Sequence, residues 1–235
     1  MATLWLFDID GTLLHAGGTG RAAFDAVMAA QHGVDDGCRG LSFGGKTDPA
    51  LVDEVFRARL GRDPTASERD AFLAAYAREL PARLAASTVA AIAGVVEALT
   101  FLRAAGADAH VLGIATGNVR AGADAKLRAA GLVEWFDASV GGYGSDSHLR
   151  AELVAAAIQR GRDRGARGEV IVVGDTVLDV AAARANGAVA IAVATGGQSA
   201  DQLAAAGADA VMASLHELPA WVNARATRAT AAAPR

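Results

Sequence analysis

The sequence predicts an α/β fold: a mostly parallel sheet with helices on both faces, interrupted by an inserted all-helical segment. Three observations carry this. Short runs such as Val170-Ile171-Val172-Val173 are apolar without alternation, as strands buried on both faces are. From about residue 93 such runs alternate with stretches of helical spacing, the pattern of parallel sheets. Between residues 16 and 88 strand patterns are missing and only helical periodicity is found.

Trp5-Leu6-Phe7 reads as the end of a first buried strand, broken by Gly11 and Thr12. The Gly-rich turn of Gly17, Gly18 and Gly20 leads into a helix over Arg21 to Gln31. Ala23, Phe24, Val27, Met28 and Ala30 give it helical spacing, and Gly33 ends it. After the loop Gly40 to Thr47, Asp48 reads as an N-cap and Pro49 as the first helical residue. Leu51, Val55 and Phe56 continue that helix to Gly61. Thr65-Ala66-Ser67-Glu68 matches a capping box for a helix carrying Phe72, Leu73 and Tyr76, which Pro81 is expected to kink or divide.

Beyond the insert, helices are expected over Gly94 to Ala104, Val119 to Ala130, His148 to Arg160, Val177 to Ala185, Ala200 to Ala206 and Leu215 to Val222. Strands are expected over Ala109 to Ala115, Phe136 to Val140, Val170 to Val173, Val189 to Val193 and Ala210 to Met212. Residues 224–235 are Ala, Thr and Arg without an apolar period and read as a flexible tail. The expected organisation is an α/β core over 1–15 and 89–223, a helical insert over 16–88, and that tail.

Hydrophobic residues make up 52% and charged residues 20% of the 235, enough for a substantial core and against global disorder. The net charge of −4 argues against a nucleic-acid binder. The Arg160 to Arg167 cluster alternates with Gly and Asp and reads as a solvated helix end. Cys38 is the only cysteine, so no intrachain disulfide forms. It has no assigned base beside it and is not read as a nucleophile. Neither a signal peptide nor a membrane span is read, so a soluble cytoplasmic protein without a membrane partner is expected.

In parallel sheets, ligands bind beyond the carboxyl ends of the strands. The polar residues that follow apolar strands here are Asp8 and Asp10, Thr116 and Asn118, and Asp175 with Asp179. Asp8 and Asp10 are two apart and project to one face of an extended chain. Crowded carboxylates need a cation between them or a shared proton. The plainer reading is an acidic turn, since Asp-Gly is a common turn dipeptide. An oxygen-ligand set without His or Cys suits a hard cation such as Mg²⁺, and such sites usually serve phosphates. One carboxylate can attack phosphorus and the other can carry a proton, with a protein cation offsetting the developing charge.

Asp8-Ile9-Asp10-Gly11-Thr12, Thr116-Gly117-Asn118 and Gly174-Asp175-Thr176-Val177-Leu178-Asp179 resemble three signatures of the haloacid dehalogenase superfamily. Their order and spacing are similar to its phosphoglycolate-phosphatase-like branch, and the resemblance covers essentially the whole chain before the tail. It implies a Rossmann-like core and makes the helical insert a cap that excludes water and selects substrate. Asp8 then corresponds to the nucleophile. Asp10 corresponds to the general acid and base, whose backbone carbonyl also ligates Mg²⁺. Thr116 binds the phosphoryl group, with Thr12, Gly117 and Asn118 as further substrate contacts. Asp175 binds Mg²⁺, and Asp179 is a direct or outlying partner of the metal, or simply an acid favoured by a helix dipole. The family's usual Lys-Pro pair is absent. Arg150 takes the basic position, where a guanidinium matches phosphate geometry, with His148 as the fallback and a surface arginine as the plainer reading. Val177 stands where relatives often have Pro. Lys46, in the cap loop Gly44 to Asp48, reads as a contact for a substrate anion or as a solvated lysine.

The implied activity is Mg²⁺-dependent hydrolysis of a phosphate monoester through an aspartyl phosphate. The partner is a small phosphorylated metabolite, phosphoglycolate-like or a sugar phosphate. The acid at position 10 departs from the dehalogenases, which usually have an aromatic residue there, and from the phosphonate-cleaving relatives, which have Ala. Two alternatives remain: a phosphosugar mutase of the beta-phosphoglucomutase type, and a non-catalytic phosphate sensor. Thr12 favours the phosphatase, since those mutases more often carry Val there.

Overall fold

The computed structural model describes residues 1–106 and 108–232. In chain order the elements are β1 (Thr3–Phe7), β2 (Leu14–His15), α1 (Thr19–His32), α2 (Asp48–Leu60), α3 (Ala66–Ala85), β3 (Ala90–Ala91), α4 (Val95–Ala104), β4 (His110–Ala115), α5 (Arg120–Ala129), β5 (Gly141–Gly142), α6 (Arg150–Asp163), β6 (Val170–Gly174), α7 (Val177–Ala185), β7 (Val189–Val193), α8 (Ala200–Ala205), β8 (Ala210–Met212) and α9 (Leu218–Ala232). Six strands form one Rossmann-like parallel sheet in the order β5-β4-β1-β6-β7-β8. The short antiparallel pair β2 and β3 brackets α1 to α3, the inserted helices.

Both sheet faces are covered because alternate strand residues point opposite ways. Trp5 and Phe7 pack with Leu112, Ile114, Ile171 and Val173 and with Leu99 and Leu102 of α4. Leu4 and Leu6 pack on the other face with Val170, Val172, Leu153 of α6 and Val180 of α7. The inserted helices are tied by aromatic contacts, with Phe24 4.7 Å from Tyr76 and 5.1 Å from Phe72 between ring centroids. Among the described residues no helix is long and apolar enough to cross a membrane.

Register is what assembles the site. Phe7 lies opposite both Ile114 and Val173, so Asp8, Thr116 and Asp175 emerge at the same carboxyl edge. The Asp8 amide donates to Val173 at 2.9 Å and the Thr116 amide to Gly142 at 2.9 Å, holding both positions beyond the strands.

Several local expectations are corrected. Thr47, not Asp48, caps α2: its hydroxyl accepts from the Ala50 amide, which frees the Asp48 side chain for another partner. Pro81 does not divide α3, which runs through it at the loss of one backbone donor. Phe136 to Val140 is not a strand, because Asp137 caps Ser139 and closes a turn through the Val140 amide. The edge strand is Gly141–Gly142 instead, where a Cβ on Gly142 would lie 1.8 Å from the Leu153 carbonyl. α6 starts at Arg150 rather than His148 and runs to Asp163. The described part of the expected tail is helical to Ala232, in keeping with its alanine content. Arg225 pairs with Glu169 at 2.6 Å there and covers the Trp221 ring. Residues 233–235 of that tail lie outside the described residues.

Candidate active site

Asp8, Asp175 and Asp179 meet at the sheet edge, each offering one carboxylate oxygen within 4.8 Å of the others. Arg150, from the first turn of α6, is their shared counter-charge. Its Nη2 lies 2.8 Å from Asp8 and 2.6 Å from Asp179, and its Nε donates to Asp179 at 2.8 Å. Nη2 is within ion-pair range of both acids but aligned as a hydrogen bond with neither. Nη1 reaches across to the Gly45 carbonyl at 3.0 Å, tying the core acids to the inserted segment.

Three buried carboxylates against one guanidinium leave an excess of negative charge. Burial pushes Asp8 up to about 6, with Arg150 opposing and Asp179 and Asp10 adding to the rise. Burial, then the Asp8 and Asp179 charges, push Asp175 up to about 8. The Arg150 guanidinium stays charged: burial works against it, and the Asp179 and Asp8 carboxylates outweigh that. This donor set, all oxygen and short of positive charge, fits a hard divalent cation. The space around Asp175 is shaped for its carboxylate, since a Cβ on Gly196 would fall 1.7 Å from its Oδ2.

Asp179 is more than a helix-dipole acid. Its Oδ2 accepts from the Thr176 amide and hydroxyl as the capping box of α7, while its Oδ1 takes Arg150. Thr116 is fully buried, and its hydroxyl bears on Asp8, acting to lower that carboxyl's proton affinity. Thr12 is also fully buried and donates to Asp175 at 3.4 Å, so it supports a site acid rather than facing the cavity as a substrate contact. His148 points to Asp53 of α2 at 3.6 Å and is not a second candidate for the Arg150 position.

Asp10 has a different environment. Its Oδ2 accepts from Lys126 Nζ at 2.6 Å and from Asn118 Nδ2 at 2.8 Å. Asn118 also donates to the Thr116 hydroxyl at 2.8 Å and accepts from Lys126 at 2.7 Å. Lys126 is the residue that the sequence reading missed. Its signal was present: Val119, Gly122, Ala123, Lys126 and Leu127 share one helical face, and a lysine in that stripe is 6% exposed.

These groups open into a cavity of about 220 Å³. Its inserted-segment wall includes Arg21, Phe43, Lys46, Asp48, Leu51 and Tyr76. Lys46 is already paired with Glu54. Asp48, the second residue missed, accepts from the Val119 amide at 2.8 Å, and burial pushes its carboxyl up to about 7 against the pull of Lys126 and that amide. Cys38 is buried away from this wall, and burial with the Asp25 charge pushes its thiol up to about 12, which makes it inert.

The inserted segment meets the Thr116 loop closely. The Asp48 amide donates to the Gly117 carbonyl at 2.7 Å, and a Cβ on Gly117 would lie 2.2 Å from the Lys46 carbonyl. Both are backbone atoms, so neither can turn aside. Gly117→Ala is therefore expected to push the segment off the site and raise KM by about tenfold, on the order of 1.4 kcal/mol of lost binding. Steady-state kinetics checks this; an unchanged KM would mean that the contact is not held during turnover.

A parallel sheet that gathers carboxylates at its carboxyl edge beneath inserted helices places the chain among α/β proteins with an acidic site at the sheet edge. The chain belongs to the haloacid dehalogenase-like hydrolase family, whose model matches residues 3–187. Among solved structures it is similar to a Bacteroides vulgatus protein assigned as a beta-phosphoglucomutase, at 22% identity and a TM-score of 0.70, over 96% of this chain and 89% of that one. It is also similar to CbbY from Rhodobacter sphaeroides in complex with phosphate, at 23% identity and a TM-score of 0.72, over 93% and 96%. A mutant of CbbY in complex with xylulose-1,5-bisphosphate matches at 22% identity and a TM-score of 0.70, over 93% and 96%. No curated protein matches the chain.

Proposed function

We propose that the protein hydrolyses a small phosphate monoester through an aspartyl phosphate on Asp8, with Mg²⁺ as cofactor. The observation that carries this reading is the Asp8 carboxylate, buried, lining the cavity and charge-paired to an Arg150 whose Nη2 has no aligned acceptor. Asp8 attacks phosphorus while Asp10 gives a proton to the departing ester oxygen. Asp10 then takes a proton from the water that cleaves the acyl phosphate, which returns Asp8 to its carboxylate. The Thr116 hydroxyl and the amides of Gly117 and Asn118 hold the phosphoryl oxygens, and Arg150 offsets their charge.

Asp8, Asp175 and the Asp10 carbonyl would hold Mg²⁺, which supplies further positive charge at the phosphoryl group. Asp179, both of whose oxygens are engaged, positions Arg150. Residues 16–88 act as a cap over a core of 1–15 and 89–223 and exclude water during transfer. The cavity of about 220 Å³ suits an ester of a few carbons. The phosphate and sugar-bisphosphate ligands of the CbbY structures support a phosphorylated metabolite.

A panel of phosphorylated metabolites with Mg²⁺ tests this reading, with free phosphate as the expected product. Interconversion of isomers without phosphate release would make it a mutase. Binding without turnover would make it a sensor.

The metal assignment predicts a pH-dependent stabilisation. Asp8 and Asp175 have folded values of about 6 and about 8 against 3.8 for the free side chain. The folded state then holds more protons than the unfolded state across that window, so metal-free stability falls as pH rises from about 4 to about 8. Mg²⁺ is expected to raise Tm more at about pH 8 than at about pH 5. Thermal melts check it, and an equal shift at both would remove the cluster as the binding site.

A further inference from the structure

We infer that Lys126 is the positioning residue for proton transfer: with Asn118 it pins one oxygen of the Asp10 carboxylate and leaves the other to carry the proton. The inference rests on the hydrolase reading above and assigns a role to a residue outside its three signatures.

The geometry separates the two oxygens of Asp10. Oδ2 receives Lys126 Nζ at 2.6 Å and Asn118 Nδ2 at 2.8 Å, while Oδ1 has no hydrogen-bond partner among the described residues. A carboxylate that is 43% exposed would otherwise rotate between equivalent orientations. Two donors on one oxygen remove that freedom. They also make Oδ2 the poorer proton carrier, because a proton there would displace an ammonium contact. The transferable proton therefore sits on Oδ1. It passes to the ester oxygen as the bond from phosphorus to that oxygen breaks and the bond to Asp8 forms. It is replaced from water in the second step.

Lys126 is itself held for this task. A second donor of its ammonium goes to Asn118 Oδ1 at 2.7 Å. The side chain stands on α5, the helix that begins just after the Thr116 loop, so the loop that would bind phosphate and the group that orients the acid are joined by a short stretch of chain. Arg150, not Lys126, contacts Asp8, which separates the cation at the nucleophile from the cation at the acid.

The test uses esters that differ in their need for an acid. Para-nitrophenyl phosphate expels a stable anion, phenyl phosphate a more basic one, and glycerol phosphate an alkoxide that must be protonated. Lys126→Met is expected to lower kcat by about 100-fold on glycerol phosphate, within the usual range for a general acid, and by less than about threefold on para-nitrophenyl phosphate. KM should stay within about threefold on each, and Lys126→Arg should recover most of the rate. In an Asp10→Asn background, Lys126→Met should cost less than about twofold more, since the two act as a unit. Equal losses on all three esters, or a rise in KM as the main effect, would overturn the inference and leave Lys126 as a phosphate or structural contact. If Lys126→Met melts early, Lys126→Gln carries the same series. Wild-type release of phosphate that is lost in Asp8→Asn marks the underlying reading as sound. No release by the wild type would remove both.

Discussion

Replacing Asp8 with asparagine is expected to end phosphate release, by on the order of 10³-fold or more, because an amide cannot form the acyl phosphate proposed on this side chain. The expected fold is unchanged. Asp8→Asn keeps the shape of the side chain and removes a buried charge that Asp179 and Asp10 disfavour. Arg150 keeps Asp179 through Nε and Nη2 and Gly45 through Nη1. Metal-free protein carrying the substitution should therefore melt no lower than the wild type at about pH 8, an example of a site whose function opposes its stability. Phosphate release measured beside thermal melts separates the two effects. Full activity in this variant would remove Asp8 as the nucleophile, whereas lost activity with a collapsed melt would point to a structural role.

Arg150→Ala is expected to be the most damaging substitution for stability, costing about 3–5 kcal/mol, the usual penalty for removing one partner of a buried charge group. Asp8 and Asp179 lose their shared cation together, and Gly45 loses its link to the core. The sign of the pH dependence follows from the acids. Without Arg150 the ionised form of Asp8, whose carboxyl burial already pushes up to about 6, is costlier, so the deficit should widen from about pH 5 to about pH 8 as Asp8 titrates. Urea unfolding at the two pH values measures it. Arg150→Lys keeps the charge but not the fork of donors, and should fall between wild type and alanine. A uniform deficit across pH would mean that packing, not charge, is what Arg150 supplies.

The sheet and its acidic edge were legible because they depend on patterns that a linear chain displays. Apolar runs mark β1, β4 and β6, and the first polar residues after each are Asp8, Thr116 and Asp175. What escaped depends on contacts across the chain. Asp48 looks like a helix cap in sequence, yet Thr47 does the capping and Asp48 reaches 71 residues away to Val119. β5 is two glycines whose reason is the nearby Leu153 carbonyl, so it carries no side-chain signal. Lys126 could have been noticed as a charge in an apolar stripe, but its partner Asp10 lies 116 residues away. Lys46 was legible as a cavity residue, but not its neutralisation by Glu54. Thr12 had the right position for a signature and the wrong orientation for a substrate contact.

The seam between the inserted segment and the Thr116 loop is made largely of peptide groups. The Asp48 amide meets the Gly117 carbonyl, Gly117 faces the Lys46 carbonyl, and Gly144 faces the Gly117 carbonyl in turn. Peptide groups are common to every residue type. The fit of the seam is therefore indifferent to which side chain stands at position 46, while the neighbouring positions 43 and 51 project theirs into the cavity. Such a joint lets the inner wall be rewritten by substitution while the inserted segment and the Thr116 loop continue to meet in the same place.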